Sequence, residues 1–130
     1  MWLTRELERQ PAAVMLSFGD PLPFVEKIKR SNSLVTCQVQ SLALAKEAVA
    51  AGAVILVGQG TEAVGRGASR GLFTLLPEIV DAIEDQALVV TAGGIADGRG
   101  VLRMRLQVGF RLRWRSRIWG MRRWRLRRFL

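Results

Sequence analysis

Two glycine-rich stretches hold most of the residues that could do chemistry. The first, GQGTEAVGRGASRG, runs from Gly58 to Gly71 with one acid, Glu62, and two arginines, Arg66 and Arg70. The second, TAGGIADGRG, runs from Thr91 to Gly100 and places Gly93-Gly94 ahead of Asp97 and Arg99. Backbone N–H groups freed where a strand turns into a helix, together with the helix dipole, suit a phosphate. Gly93 and Gly94 sit at such a place. The plainer reading is a tight strand-to-helix turn, and spacing alone does not choose between them. Gln59 ends an apolar run, and its amide offers both a donor and an acceptor, to a ligand or to loop backbone. Arg66 could hold an anion or lie solvated in its loop.

Other chemistries are excluded by what the chain lacks. It has no histidine, the commonest general base near neutral pH. Cys37 is the single cysteine. It has no histidine to activate it and reads as a buried structural thiol beside Gln38 and Gln40. A lone cysteine allows no internal disulfide and fits a reducing, cytoplasmic setting. No group of ligating residues has metal spacing, so no metal site is expected. MWLTRELERQP is too charged for a secretory signal, and AVAAGAVILVG is too short and glycine-broken to span a bilayer.

The elements that must position these loops follow from apolar patterning. A short helix is expected over 3–10. AAVMLSF (12–18) reads as a buried strand closed by Gly19-Asp20-Pro21, and PFVEKIKRS (23–31) as a helix with Phe24, Val25 and Ile28 on one face. LVTCQV (34–39) is the next strand. Ser41 is an N-cap for LALAKEAVAA, and Gly52 ends that helix. AVILVG (53–58) is a third strand and LLPEIVDAIEDQ (75–86) a helix with Pro77 in its first turn. ALVVTAGG (87–94) is a fourth strand, and ADGRGVLRMRL opens a further helix. Strands without polar alternation are expected to be buried on both faces. Four such strands alternating with helices mean α/β with a parallel sheet, either open and doubly wound or part of a (β/α)8 barrel. A whole barrel takes about 250 residues, so this chain supplies about four βα units. In both architectures ligands bind at the carboxyl ends of the strands.

Charge divides the 130 residues unevenly. Residues 1–100 hold 9 basic and 11 acidic residues, whereas 101–130 hold eleven arginines and no acid, for a total of +9. Residues 102–130 therefore read as a separate basic tail with three of the four tryptophans. Arginine interleaved with aromatics could bind nucleic acid or an anionic membrane face as a non-catalytic binding protein. As a packed segment the tail makes little sense, because arginines one or two apart leave no apolar face. A third reading is a shifted reading frame, in which alanine codons of an Ala-rich helix, read one base out of register, become arginine codons.

LSFGDPLPFVEKIK, VTCQVQSLALAKEAVAAGA, VGQGTEAVGRGASRGLFTLLPEIVDAI and TAGGIADGRGV, in this order and spacing, resemble the C-terminal half of the nitronate monooxygenase family, formerly called 2-nitropropane dioxygenases. The resemblance covers roughly residues 1–101. It implies a truncated FMN-dependent (β/α)8 barrel that oxidises alkyl nitronates, and in some members neutral nitroalkanes, with dioxygen. The flavin-dependent enoyl-thioester reductases share the fold and much of the motif pattern, and would need NAD(P)H. The resemblance assigns Gln59 to the flavin ring edge and the Gly93-Gly94 loop to its phosphate, with Gly65 also at the cofactor. Where the family has two glycines and a histidine after Glu62-Ala63, this chain has Val64, Gly65 and Arg66. The family's histidine takes the α-proton of a nitroalkane. A guanidinium stays protonated and cannot do so, so no catalytic residue is assigned. A nitronate, already deprotonated, needs no base. Half a barrel leaves two open sheet edges, through which a homodimer is expected.

Overall fold

The computed structural model describes residues 2–63 and 69–108. Nine elements alternate along them: α1 (Trp2–Leu7), β1 (Ala13–Leu16), α2 (Leu22–Arg30), β2 (Leu34–Val39), α3 (Leu42–Ala51), β3 (Ile55–Gln59), α4 (Leu72–Ile83), β4 (Leu88–Ala92) and α5 (Gly98–Val108). The four strands form one sheet in the order β1-β2-β3-β4, every neighbour parallel. Sequential parallel strands joined by right-handed crossovers put their helices on one face. On that face Val35, Cys37, Val39, Leu56 and Val89 are buried beneath α2, α3 and α4. Leu72, Leu75, Leu76, Ile79 and Ile83 of α4 are essentially closed to solvent and form the largest block of the core.

The expectation of strands buried on both faces is overturned. Along β3 and β4 burial alternates, and the second face of the sheet is largely uncovered among the described residues, with Thr36 buried between its strand neighbours. Met15 is 57% exposed, Leu34 50%, Leu88 48% and Val90 42%. The sequence shows no polar alternation because the uncovered positions are apolar as well. That is what the interior lining of a barrel looks like when only part of its wall is present.

Local signals behave as their chemistry demands. Ser41 Oγ accepts from the Leu44 N–H at 3.2 Å and caps α3, and Gly52 closes it in the left-handed region at φ 105°. Asp20 Oδ1 accepts from the Leu22 N–H at 2.9 Å in the turn that leads into α2. Val25 and Ile28 of α2 are buried as the spacing requires. Boundaries move in three places. The first helix stops at Leu7, and Gln10 already has φ 49°. β1 is only Ala13–Leu16. α4 starts at Leu72, three residues before the expected start, which places Pro77 inside the helix rather than in its first turn. The reason is a capping group far away in sequence, described below.

Helix α5 runs across position 101 and continues to Val108. Met104 is buried to 3% and Arg103 lies over the Phe73 ring, 5.1 Å from its centroid. Over 101–108, then, the arginine spacing does leave an apolar contact: the single methionine suffices, and an arginine can cover an aromatic face. Residues 109–130 lie outside the described residues.

Candidate active site at the carboxyl edge of the sheet

The last residues of β3 and β4 pair directly, Gln59 with Ala92. Their two loops therefore leave the sheet side by side, and Gln59 is brought next to Gly93. On the uncovered face, Gln38 Nε2 donates to Gln59 Oε1, and Ser17 Oγ donates to Gln38 Oε1 at 3.1 Å. Leu16 pairs with Cys37, so Ser17 and Gln38 stand opposite each other. A polar row, Ser17–Gln38–Gln59, thus crosses the mouth of the sheet above the apolar lining. The Nε2 of Gln59 has no acceptor among the described residues. Sequence reasoning picked out Gln38 and Gln59 separately and missed Ser17. Its signal was a polar residue two positions after Met15, on the same face.

Gly93 and Gly94 have φ of 106° and 68°, a region that costs an L side chain strain. A Cβ on Gly93 would lie 2.6 Å from the Ala63 Cβ, and one on Gly94 2.8 Å from the Glu62 Cβ. Both glycines are therefore required by the approach of the neighbouring loop as well as by the turn. The N–H groups of Gly94 and Ile95 meet no acceptor among the described residues.

The helix end beyond them is a different matter. Asp97 Oδ1 accepts from the N–H groups of Arg99, at 3.0 Å, and Gly100, at 3.2 Å. Its Oδ2 takes Arg99 Nε at 2.8 Å and Nη2 at 2.7 Å. The Arg99 side-chain bond first, then the Gly100 N–H, hold the Asp97 carboxyl below its usual range, and the same pairing raises Arg99. The positive end of α5 is thus already served by a carboxylate. Any anion at this loop would be met by the Gly94–Ile95 backbone, and the expected help from the α5 terminus is pre-empted.

Glu62 reaches across ten residues to cap α4. Its Oε2 accepts from the Leu72 N–H at 2.8 Å, while Gly71, the residue at the cap position, has no side chain to offer. This bond explains why α4 begins at Leu72. Thr61 N–H donates to Arg70 C=O at 3.0 Å, closing the neck of the loop below it. Arg70 pairs with Glu78 on α4, both partly exposed. Gly65 and Arg66 lie outside the described residues. Cys37 is buried, and its burial pushes the thiol up from its ordinary value, as suits a structural thiol.

A small pocket of about 30 Å³ opens between Leu16, Phe18, Cys37, Gln38, Leu44 and Glu47. That is room for about one water, so it does not hold a cofactor. The carboxyl edge is instead an open platform with amide and backbone donors along it.

The description "Nitronate monooxygenase" matches this chain as a family over residues 2–109. The chain belongs to the nitronate monooxygenase family. A nitronate monooxygenase of Neurospora crassa is 33% identical over 117 residues, covering 74% of this chain and 31% of that protein. Among solved structures, FabK from Thermotoga maritima matches with a TM-score of 0.75 at 27% identity, over 81% of this chain and 33% of that one. A nitroalkane oxidase from Streptomyces ansochromogenes matches with a TM-score of 0.63, at the same identity and coverage. The chain thus spans about a third of the length of these proteins. Its fold is α/β, a four-strand run of βα units from a (β/α)8 barrel, as the family resemblance implied. The match extends past residue 101, in step with α5.

The donor set at the carboxyl edge fits a phosphorylated flavin. Gln59 Nε2 can face a ring-edge carbonyl, and the Gly94 and Ile95 N–H groups can face a phosphate. The described residues would form one side of such a site. Among them no helix is long and apolar enough to cross a membrane.

Proposed function

We propose that this chain carries the flavin-side loops of an FMN-dependent oxidoreductase that oxidises alkyl nitronates with dioxygen. The observation that carries the reading is the pairing of Gln59 with Ala92, which sets a ring-edge amide beside the Gly93-Gly94 loop. When bound, FMN would take electrons from the nitronate and pass them to dioxygen. The chain's own part is to orient the isoalloxazine through Gln59, itself steadied by Gln38 and Ser17, and to hold the phosphate on the Gly94–Ile95 backbone. Arg66 stands where the family has its proton-abstracting histidine. The substrate class is therefore the anionic nitronate rather than the neutral nitroalkane, with lower turnover than in relatives that keep the histidine. Among the described residues no further strand pairs at the β1 and β4 edges, and the mass in solution tests whether a second copy joins there.

The test is an FMN titration followed by flavin fluorescence quenching, on the full chain and on a chain ending at Val108, which keeps the buried Met104. Saturable binding by both, weakened by Gln59→Ala, supports the reading. Binding by the full chain alone, lost in moderate salt, would point to the arginines beyond residue 108 attracting phosphate. Nitronate and nitroalkane assays with and without NAD(P)H then separate this activity from that of the related reductases.

A second reading has its own observation, the eleven arginines among residues 101–130. On it, the chain is a polyanion-binding protein. Deleting 109–130 would then abolish RNA or anionic-vesicle binding and leave flavin binding unchanged. The nucleotide sequence after codon 101 tests whether those arginines are alanine codons in a shifted frame.

A further inference from the structure

Glu62 and Ala63 sit in a ring of four glycines contributed by three different segments. A Cβ on Gly60 would lie 2.2 Å from the Leu72 nitrogen and 2.3 Å from Glu62 Oε2. One on Gly71 would lie 3.0 Å from Glu62 Oε1. A Cβ on Gly94 would meet the Glu62 Cβ, and one on Gly93 would meet Ala63, at the distances given above. The Glu62 carboxylate is the hydrogen-bonding member of this cluster, through the Leu72 N–H. Its stem fills the space beside Gly94, and its head fixes the first residue of α4, whose side chain is fully buried. A carboxylate at a helix N-terminus is also favoured by the dipole. One side chain therefore touches the β3–α4 loop, the start of α4 and the β4–α5 loop together.

We infer that Glu62 is a positioning residue that ties Gly60–Ala63, the start of α4 at Gly71-Leu72 and the Gly93-Gly94 loop into one unit, holding the backbone donors at Gly94 and Ile95 at a set place relative to Gln59. The role follows from contacts within the chain. Its consequence for flavin binding rests on the function proposed above. The carboxylate acts through the close approach of the two loops at Gly93 and Gly94, with Glu62 held at the Leu72 N–H.

The experiment is ¹⁵N relaxation on the full chain, comparing Glu62→Ala, Glu62→Gln and, as a control, Ser41→Ala. The last removes a cap of the same kind from α3, away from the two loops. In Glu62→Ala the order parameters of Gly93 and Gly94 should fall from about 0.85 to below about 0.6. Glu62→Gln keeps an oxygen acceptor for the Leu72 N–H and should restore most of that order. Ser41→Ala should leave Gly93 and Gly94 unchanged. If Glu62→Ala loosens only the first turn of α4, or if Ser41→Ala loosens Gly93 and Gly94 equally, Glu62 is merely a helix cap and the inference fails. Should Glu62→Ala not fold, the more conservative Glu62→Asp, too short to reach both partners, makes the same prediction. An FMN titration of the same variants is read separately. Absence of flavin binding by the unaltered chain overturns the proposed function and leaves the relaxation result to decide on Glu62.

Discussion

The two faces of the sheet are built from the same kinds of residue and live in different surroundings. Val35, Cys37, Val39, Leu56 and Val89 on one face are shut from solvent by α2, α3 and α4. Leu34, Met15, Leu88 and Val90 on the other are about half exposed. In the first case burial of apolar area stabilises the chain as it stands. In the second the same area is a lining with no opposite wall among the described residues, and so a liability for association. The polar row at its rim, Ser17–Gln38–Gln59, marks where lining gives way to a binding edge. Composition does not say whether a strand is stabilising. What faces it does.

Four tests bear on this contrast, in order of expected effect. Leu75→Ala on the covered side empties a fully buried site and should cost about 2–5 kcal/mol in urea unfolding. A loss below about 1 kcal/mol would mean that α4 is not seated on the sheet. Gly60→Ala drives a methyl into the Leu72 backbone and should cost about 1–3 kcal/mol. The loss should shrink in combination with Leu72→Ala only if α4 can retreat, which a double-mutant cycle would show. Leu34→Thr and Leu88→Thr on the uncovered face should change stability by no more than about 0.5 kcal/mol while raising solubility. A loss comparable to that of Leu75→Ala would show that this face is covered in solution, by a second copy or another chain. The smallest effect concerns Cys37. Burial raises its thiol above the ordinary value of 9.0, so the folded chain keeps this proton to higher pH than the unfolded one. The contribution is whole below that ordinary value and is lost as pH rises through the raised one. Urea midpoints at about pH 8 and about pH 10 should therefore diverge less in Cys37→Ala than in the unaltered chain.

Much of the architecture was legible because its signals are local. Ser41 and Gly52 bracket α3 by chemistry that acts within one turn. Apolar runs separated by helical patterns defined a parallel α/β sheet without reference to contacts. The start of α4 was not legible, because its cap, Glu62, is ten residues away and Pro77 looked like a first-turn residue. The packing of α5 was hidden by its arginines, since one buried methionine and one arginine over Phe73 leave little periodic trace. The role of Asp97 at the α5 terminus was likewise masked, because an acid in a glycine-rich turn serves as readily to cap a helix as to flank a ligand.

Taken alone, the sequence determined the order of elements, the parallel sheet, the family pattern in the two glycine-rich loops and the absence of histidine, because all of these are properties of residue type and spacing. Only the tertiary structure decided which face of the sheet is covered, which polar groups meet across β1, β2 and β3, and why Gly93 and Gly94 must be glycine. Those outcomes depend on register and on the approach of segments far apart in the chain. A one-residue shift of register would have turned Gln38 and Gln59 into the core and their apolar neighbours out to solvent.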